Sequence, residues 1–136
     1  MTPSSIDRLV DIPVVNFPAV YGGYKFVQLE VDGHPLLRFA ETDRQSHQSV
    51  LRSALEHLGI SYGTQPSPLS GMMIPAPDGD NYHVAGMGIG VVFPDEKRVL
   101  FDSSAVSKSL EYQLSLDAEH LNRIQLSVPD WTFKTF

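Results

Sequence analysis

The chain has 136 residues, no cysteine and a formal net charge of −6 at pH 7. This length favours one domain over residues 1–136, and the lack of cysteine excludes disulfides, thiolate nucleophiles and cysteine-rich zinc sites. The acidic balance, without an extended lysine or arginine cluster, argues against nucleic acid and anionic membranes as main partners. Because no apolar run approaches the roughly 20 residues of a membrane span and no secretion-signal pattern is visible, we expect a cytoplasmic protein.

The first part of the chain predicts an extended segment and a hairpin. Residues 1–21 hold three prolines among apolar residues, with an edge strand expected at 14–17. Apolar residues alternate over 24–31, which predicts a strand whose other face carries polar side chains. Asp32-Gly33 is a strong turn signal for a hairpin, so residues 35–40 are expected to form the returning strand.

The next part predicts one helix and two short strands. Apolar residues recur at helical spacing over about 44–58, and Gly59 is placed to end that helix. Residues 60–65 and 71–74 are then expected to be short strands. The turn-forming residues of 75–81 predict a loop.

A strand over 82–93 follows, and it is punctuated by Gly86, Gly88 and Gly90 on one face. The pattern G-x-G-x-G lies inside a strand, so it is not the dinucleotide-binding fingerprint G-x-G-x-x-G. Two alternatives explain it. Either the glycines let a neighbouring aromatic side chain or helix pack closely, or exposed N–H groups of this strand receive an anion.

The last part predicts a strand at 98–101 and a helix at 117–125. Residues 110–116 alternate in a way that favours a strand, although a helix also fits, and 126–128 are expected to close the sheet. Mostly antiparallel or mixed strands with two helices make an α+β domain.

Lys25, Asp43 and His47 are the side chains with the clearest chemical interest. Asp43 precedes His47 by four residues, one helical turn, so the two could meet as an oriented base or as two metal ligands. The alternative is a helix N-terminus at which Asp43 complements the dipole and His47 is solvated. Lys25 either extends to solvent at the end of the sheet or joins a phosphate site. No metal-ligand motif is present, and we expect no metal and no cofactor.

Four segments of the chain occur in the same order as four segments of one known family. They are I-P-V-V-N-F at 12–17, Y-K-F-V-Q-L-E-V at 24–31, L-R-F-A-E at 37–41 and H-V-A-G-M-G-I-G at 83–90. They resemble I-P-x-V-x-I, F-K-Y-V-x-I-x-V, Y-K-W-A-E and H-V-Y-G-Y-S-x-A-Y-G of the small phosphohistidine phosphatases, also called Janus/Ocnus. The similarity spans about residues 12–92 and implies the fold of that family in a divergent member.

The resemblance also implies where a site would lie. In that family a lysine, a serine and nearby backbone amides hold phosphate, and a histidine after W-A-E-Y acts in catalysis. The lysine position falls on Lys25, the serine position on Gly88, the following small residue on Gly90 and the histidine position on Asp43. The chain therefore keeps the cation and the bare backbone but lacks the hydroxyl and the expected histidine, with His47 one turn away.

Three hypotheses about function follow. The first is a phosphohistidine-phosphatase-like domain that binds a small anion, a phosphorylated group or a protein partner without efficient phosphatase activity. The second is an active phosphatase or other hydrolase that uses Asp43 or His47 as its base. The third is a non-catalytic module that recruits a protein partner or a second copy through exposed edges and a hairpin at 98–116. The ligand-binding candidates are Lys25, Gly86, Gly88 and Gly90.

Overall fold

A computed structural model of the protein describes residues 12–42, 45–68, 70–104, 109 and 112–136. This part of the chain contains two helices and seven strands. The strands are β1 (Gly22–Val31), β2 (His34–Phe39), β3 (Tyr62–Pro66), β4 (Met73–Pro77), β5 (His83–Phe93), β6 (Arg98–Phe101) and β7 (Thr132–Thr135). The helices are α1 (His47–Leu58) and α2 (Ala118–Ser127). The α+β class expected from the sequence is confirmed.

Five of the strands form one sheet in the order β2-β1-β5-β6-β7, and β3 pairs only with β4. Every neighbouring pair is antiparallel except β6 and β7, which run parallel. The sheet is therefore mixed and mostly antiparallel, as predicted. None of the described helices is both long and apolar enough to cross a membrane.

The predicted hairpin joins β1 to β2 through a two-residue turn. Asp32 has a φ of 52° and Gly33 a φ of 77°, so both occupy the left-handed region that a tight hairpin requires. Glycine meets this requirement without steric cost, and aspartate tolerates it better than most residues. The turn sets the register in which Val31 faces His34.

Alternation along β1 builds two apolar clusters on opposite faces of the sheet. Val27 and Leu29 pack with α1 residues that include Leu51 and Leu55. On the other face, Phe26 packs in a cluster that contains the α2 residue Ile124. Adjacent residues of β1 therefore pack beneath different helices, because successive side chains of a strand point to opposite sides of the sheet.

Both helices begin with a side-chain cap. The Ser46 hydroxyl accepts a hydrogen bond from Ser49 N at 3.2 Å, and the Asp117 carboxylate accepts one from His120 N at 3.0 Å. Such caps satisfy N–H groups that have no partner inside the helix. Helix α1 begins at His47 rather than near 44, and Gly59, with a φ of 70°, ends it as predicted.

Three predicted segments differ in the structure. The predicted strand at 71–74 is displaced to β4, because residues 73–77 pair with β3. The loop predicted at 75–81 therefore begins only after Pro77. Prolines are tolerated in β4 because both strands of a two-stranded sheet are edge strands. The edge strand expected at 14–17 is reduced to one isolated bridge between Val15 and Leu37.

The region after β6 also departs from prediction. Of the segment 110–116, residues 110–111 lie outside the described residues, and 112–113 form a turn rather than a strand, beside a single bridge between Ser109 and Leu114. The hairpin expected over 98–116 is therefore wrong. Helix α2 continues to Ser127, so 126–128 do not close the sheet; β7 does so, alongside β6.

Candidate functional site

The strand register decides which face the three glycines occupy. Gly86 lies opposite Gln28, Gly88 opposite Phe26, and Gly90 opposite Tyr24. Paired residues in an antiparallel sheet share a face, so all three glycines lie on the face that carries Phe26 and packs beneath α2. Lys25 is on the opposite face of β1. The glycine face and the lysine are therefore separated by the sheet.

Gly86 and Gly90 allow close packing. A Cβ atom on Gly86 would lie 2.7 Å from the Ser115 carbonyl oxygen and 2.9 Å from Asp117 N. A Cβ atom on Gly90 would lie 3.3 Å from the Val99 side chain. Both glycines are buried. Met87 N donates to Ser115 O at 3.2 Å, so the segment that precedes α2 lies against the strand. This part of the glycine face is covered rather than open.

Lys25 reaches the start of α1 from the other face of the sheet. Its Nζ atom donates a hydrogen bond of 3.0 Å to the carbonyl oxygen of Gln45, the residue before the Ser46 cap. No carboxylate of the described residues forms an ion pair with Lys25. An ammonium group carries three donors, so the bond to Gln45 leaves two of them for other partners.

His47 is buried at the first position of α1. Its Nε2 atom lies 2.9 Å from the carbonyl oxygen of Gly88, and a carbonyl only accepts, so Nε2 carries the hydrogen. Burial lowers the pKa of His47; the bond to Gly88 opposes that effect, and the positive charge of Lys25 adds to it. The imidazole is therefore neutral at pH 7, and its Nδ1 atom has no hydrogen-bond partner within the described part of the chain.

The start of α1 thus gathers three of the predicted site residues. Lys25 contacts the residue before the cap, and His47 links the first helical position to the backbone of Gly88. Ser49 N and Val50 N are satisfied by Ser46, whereas the N–H groups of the first two helical positions have no partner inside a helix. The positive end of the helix dipole and the ammonium charge both favour an anion here. Asp43 lies outside the described residues.

A second buried histidine, His120, belongs to a different network. Gln28 Oε1 accepts from Asp117 N at 2.9 Å, so Gln28 Nε2 is a donor, and it bonds Asp117 O at 2.9 Å and His120 Nδ1 at 3.1 Å. His120 Nδ1 is therefore an acceptor, and Nε2–H donates to Leu29 O at 3.0 Å. Both ring nitrogens are satisfied, so this histidine holds the fold together.

The sequence placed Gln28 on the polar face of β1, opposite Val27 and Leu29, but it did not predict that this residue is buried. The side chain is completely buried, because α2 covers this face and Asp117, 89 residues away, satisfies both ends of the amide. No local pattern marks such a partner. Arg38 is another buried polar residue that the pattern did not single out.

Among the residues that the structure describes, no three histidine, aspartate or glutamate side chains gather as a metal site. No protein-family model and no curated protein matches the sequence. The resemblance to the phosphohistidine phosphatases therefore stays a hypothesis.

Proposed function

We propose that this chain binds a small oxyanion or a phosphorylated group where the start of α1 meets β1 and β5. The observation that carries the proposal is Lys25, which extends its ammonium group to the residue before the α1 cap and has no ion-pair partner among the described residues. A cation beside helical N–H groups is a favourable site for an oxyanion.

The magnitudes are compatible with weak binding. A helix N-terminus favours an anion by about 0.3–1 kcal/mol, and a hydrogen bond to a charged group contributes about 1.5–3 kcal/mol. At the lower end of these ranges, two such bonds and the helix together contribute about 3–4 kcal/mol, which corresponds to a dissociation constant of about 1 mM or weaker. Free phosphate is therefore a probe of the site, and a larger phosphorylated group would gain affinity from further contacts.

The resemblance to the phosphohistidine phosphatases supports the same place independently, because its phosphate-holding lysine falls on Lys25. The proposed protein is therefore a divergent, cytoplasmic member of that family, which binds its ligand without efficient phosphatase activity. Asp43 stands where the family has its histidine, and an aspartate, with an ordinary pKa of about 4, would repel an anionic phosphate.

A titration of inorganic phosphate against amide-labelled protein tests the proposal. We expect saturable shifts at residues 45–49 and at the Gly88 peptide. Lys25→Met removes the charge and keeps most of the side chain, and it should weaken binding by about ten-fold or more. Lys97→Met is the matched control, since Lys97 is exposed and pairs with Asp130 at 3.3 Å; it should leave binding unchanged.

Two results would contradict the proposal. One is the absence of shifts at residues 45–49 up to tens of millimolar phosphate. The other is equal phosphate affinity in the wild type and Lys25→Met.

A hydrolase is the second candidate, and the geometry of His47 favours it over other catalytic readings. A neutral imidazole whose Nε2–H is fixed by the Gly88 carbonyl presents Nδ1 as a base in a defined orientation. Lys25 would neutralise charge on a phosphoryl group bound beside it.

Incubation with a phosphohistidine peptide tests this candidate, with release of phosphate as the readout. Loss of turnover in His47→Ala with retention in Asp43→Asn would assign the base to His47, and the opposite pattern would assign it to Asp43. Turnover that survives both changes would show that neither residue is the base.

A further inference from the structure

Arg38 is a buried cation that has no ion-pair partner among the described residues, and it lines a cleft. Only 8% of its surface is exposed, and no carboxylate of the described residues forms an ion pair with it. Burial lowers the pKa of Arg38 to about 10, which still leaves it charged at pH 7. A buried charge is costly unless it is compensated, so a ligand that supplies an opposite charge would be favourable here.

The hydrogen bonds of Arg38 leave part of its guanidinium free. Nη1 donates to Val14 O at 3.0 Å and Leu37 O at 2.9 Å, and Nη2 donates to Pro13 O at 2.8 Å. A guanidinium has five N–H donors, so Nε–H and one N–H of Nη2 remain without a partner in the described part of the chain. Nε and Nη2 together form a two-pronged edge that suits a planar oxyanion.

The cleft beside Arg38 has the size and lining of a small-molecule site. Its volume is about 390 Å³, at the lower end of the range of about 300–1,000 Å³ for ligand pockets. The apolar part of the lining includes Ile12, from the segment before β1, and Val50 and Ala54 of α1. A ligand with a compact apolar body and one anionic end matches this combination.

We propose that this cleft binds a carboxylate-bearing small molecule through a two-pronged contact with Arg38. Glu41 also lines the cleft, and its negative charge disfavours a multiply charged ligand such as phosphate more than a monocarboxylate. Gln45 borders both this cleft and the Lys25 site, but a different cation supplies the charge here, and the cleft extends along α1 to Ser53, Ala54 and His57.

Benzoate is a suitable probe, with benzamide as its neutral counterpart of the same shape. Titration against amide-labelled protein should give saturable benzoate shifts at residues 38–41 and 50–57, with benzamide at least about ten-fold weaker. Glu41→Gln should tighten benzoate binding. Equal binding of benzoate and benzamide, no benzoate shifts up to tens of millimolar, or displacement of benzoate by inorganic phosphate would each overturn the proposal.

Variants separate the cleft from the rest of the molecule. Arg38→Lys should weaken benzoate by about ten-fold, because an ammonium cannot reproduce the two-pronged contact. If that variant fails to fold, Ser53→Trp decides: Ser53 is an exposed cleft residue of α1, and a tryptophan there should fill the cleft. Ser127→Trp, the same change on the exposed end of α2, should leave binding intact.

Failure of this proposal is distinguishable from failure of the phosphate site. Lys25→Met should leave benzoate affinity unchanged while it weakens phosphate. Unaltered benzoate affinity in Ser53→Trp, or loss of benzoate binding in Lys25→Met, would overturn the separate carboxylate site.

Discussion

The two faces of the sheet use the same strands in different ways. Beneath α2, Gln28, Asp117 and His120 satisfy one another, and Gly86 lets the chain before α2 lie against β5. Beneath α1, Lys25 and Arg38 are cations whose hydrogen bonds go to backbone carbonyls, without ion pairs among the described residues. The polar groups of the α2 face satisfy one another, whereas Lys25 and Arg38 on the α1 face have N–H donors without a partner among the described residues.

The two buried histidines show the contrast at the level of one ring. His120 has both nitrogens bonded, one to Gln28 and one to Leu29 O. Within the part of the chain that the structure describes, His47 has one side-chain bond, to Gly88 O. Burial lowers the pKa of each imidazole. Burial and a lowered pKa are therefore common to both rings, and what distinguishes His47 is a nitrogen without a partner in the described chain and the nearby charge of Lys25.

The largest effect should come from removing the Gln28 amide. Gln28→Met keeps the length of the side chain and leaves Asp117 N and His120 Nδ1 without their partners, whereas Asp117 O still accepts from Leu121 N. Each buried unsatisfied group costs about 1–3 kcal/mol, so we expect a loss of about 3–5 kcal/mol in the free energy of unfolding, measured by urea denaturation. Gln65→Met, at an exposed position of β3, should stay within about 0.5 kcal/mol of the wild type. A loss below about 1 kcal/mol in Gln28→Met would contradict the closed network.

Gly86→Ala should have the next largest effect. The added Cβ meets backbone atoms at 2.7 and 2.9 Å, and backbone cannot move aside without disturbing the α2 cap. We expect a loss of about 2–3 kcal/mol in the free energy of unfolding, as for overpacked cores. Gly23→Ala is the control, because nothing lies within 4 Å of its Cβ position. Similar stability of the two variants would show that the glycine strand is not held by close packing.

Acidification should destabilise the protein through both histidines. Burial lowers their pKa values in the folded state, so below the ordinary pKa of about 6.5 the unfolded chain binds more protons than the folded one. Stability is therefore full above about pH 6.5 and falls as the pH decreases toward the folded pKa values, by up to about 1.4 kcal/mol per pH unit for each histidine. Urea denaturation between pH 5 and 7.5 measures this slope.

His47→Gln and His120→Gln should each flatten that slope, whereas His34→Gln, at an exposed turn-flanking position, should not. Phosphate adds a distinction between the faces. An anion near His47 favours the imidazolium, so phosphate should raise the pKa of His47 and leave that of His120 unchanged. Titration of the imidazole ring protons by NMR, with and without phosphate, measures the pKa of both histidines. Equal shifts at both rings would break the contrast between the two faces.

Local signals in the sequence were sufficient for the elements that depend on neighbours in the chain. Asp32-Gly33 predicted the hairpin, and the apolar spacing before Gly59 predicted most of α1. The failures have long-range causes. Gln28 is buried because its partner lies 89 residues away, and β7 exists because it pairs with β6. A four-residue strand on a sheet edge carries too little local pattern to be recognised.

The sequence named candidate residues but did not place them relative to one another. Lys25 and His47 were singled out, and the structure brings both to the start of α1. Lys25, however, lies opposite Ile89 rather than a glycine. A register shift of one residue would have put the lysine and the glycines on one face. That register is set by the whole sheet, so no spacing within either strand determines it.

The smallest effect on stability is expected for Ser46→Asp, a variant that should change phosphate binding at the start of α1 without changing folding. Aspartate caps helices as well as serine does, and a negative charge suits a helix N-terminus, so Ser46→Asp should change the free energy of unfolding by less than about 0.5 kcal/mol. The new carboxylate would compete for Lys25 and weaken phosphate binding by about ten-fold or more. Asp117→Ser, the reverse exchange at the α2 cap, should leave phosphate affinity unchanged. Full phosphate affinity in Ser46→Asp would place the anion elsewhere, because a carboxylate added beside the residue that Lys25 contacts cannot be neutral toward an anion bound there.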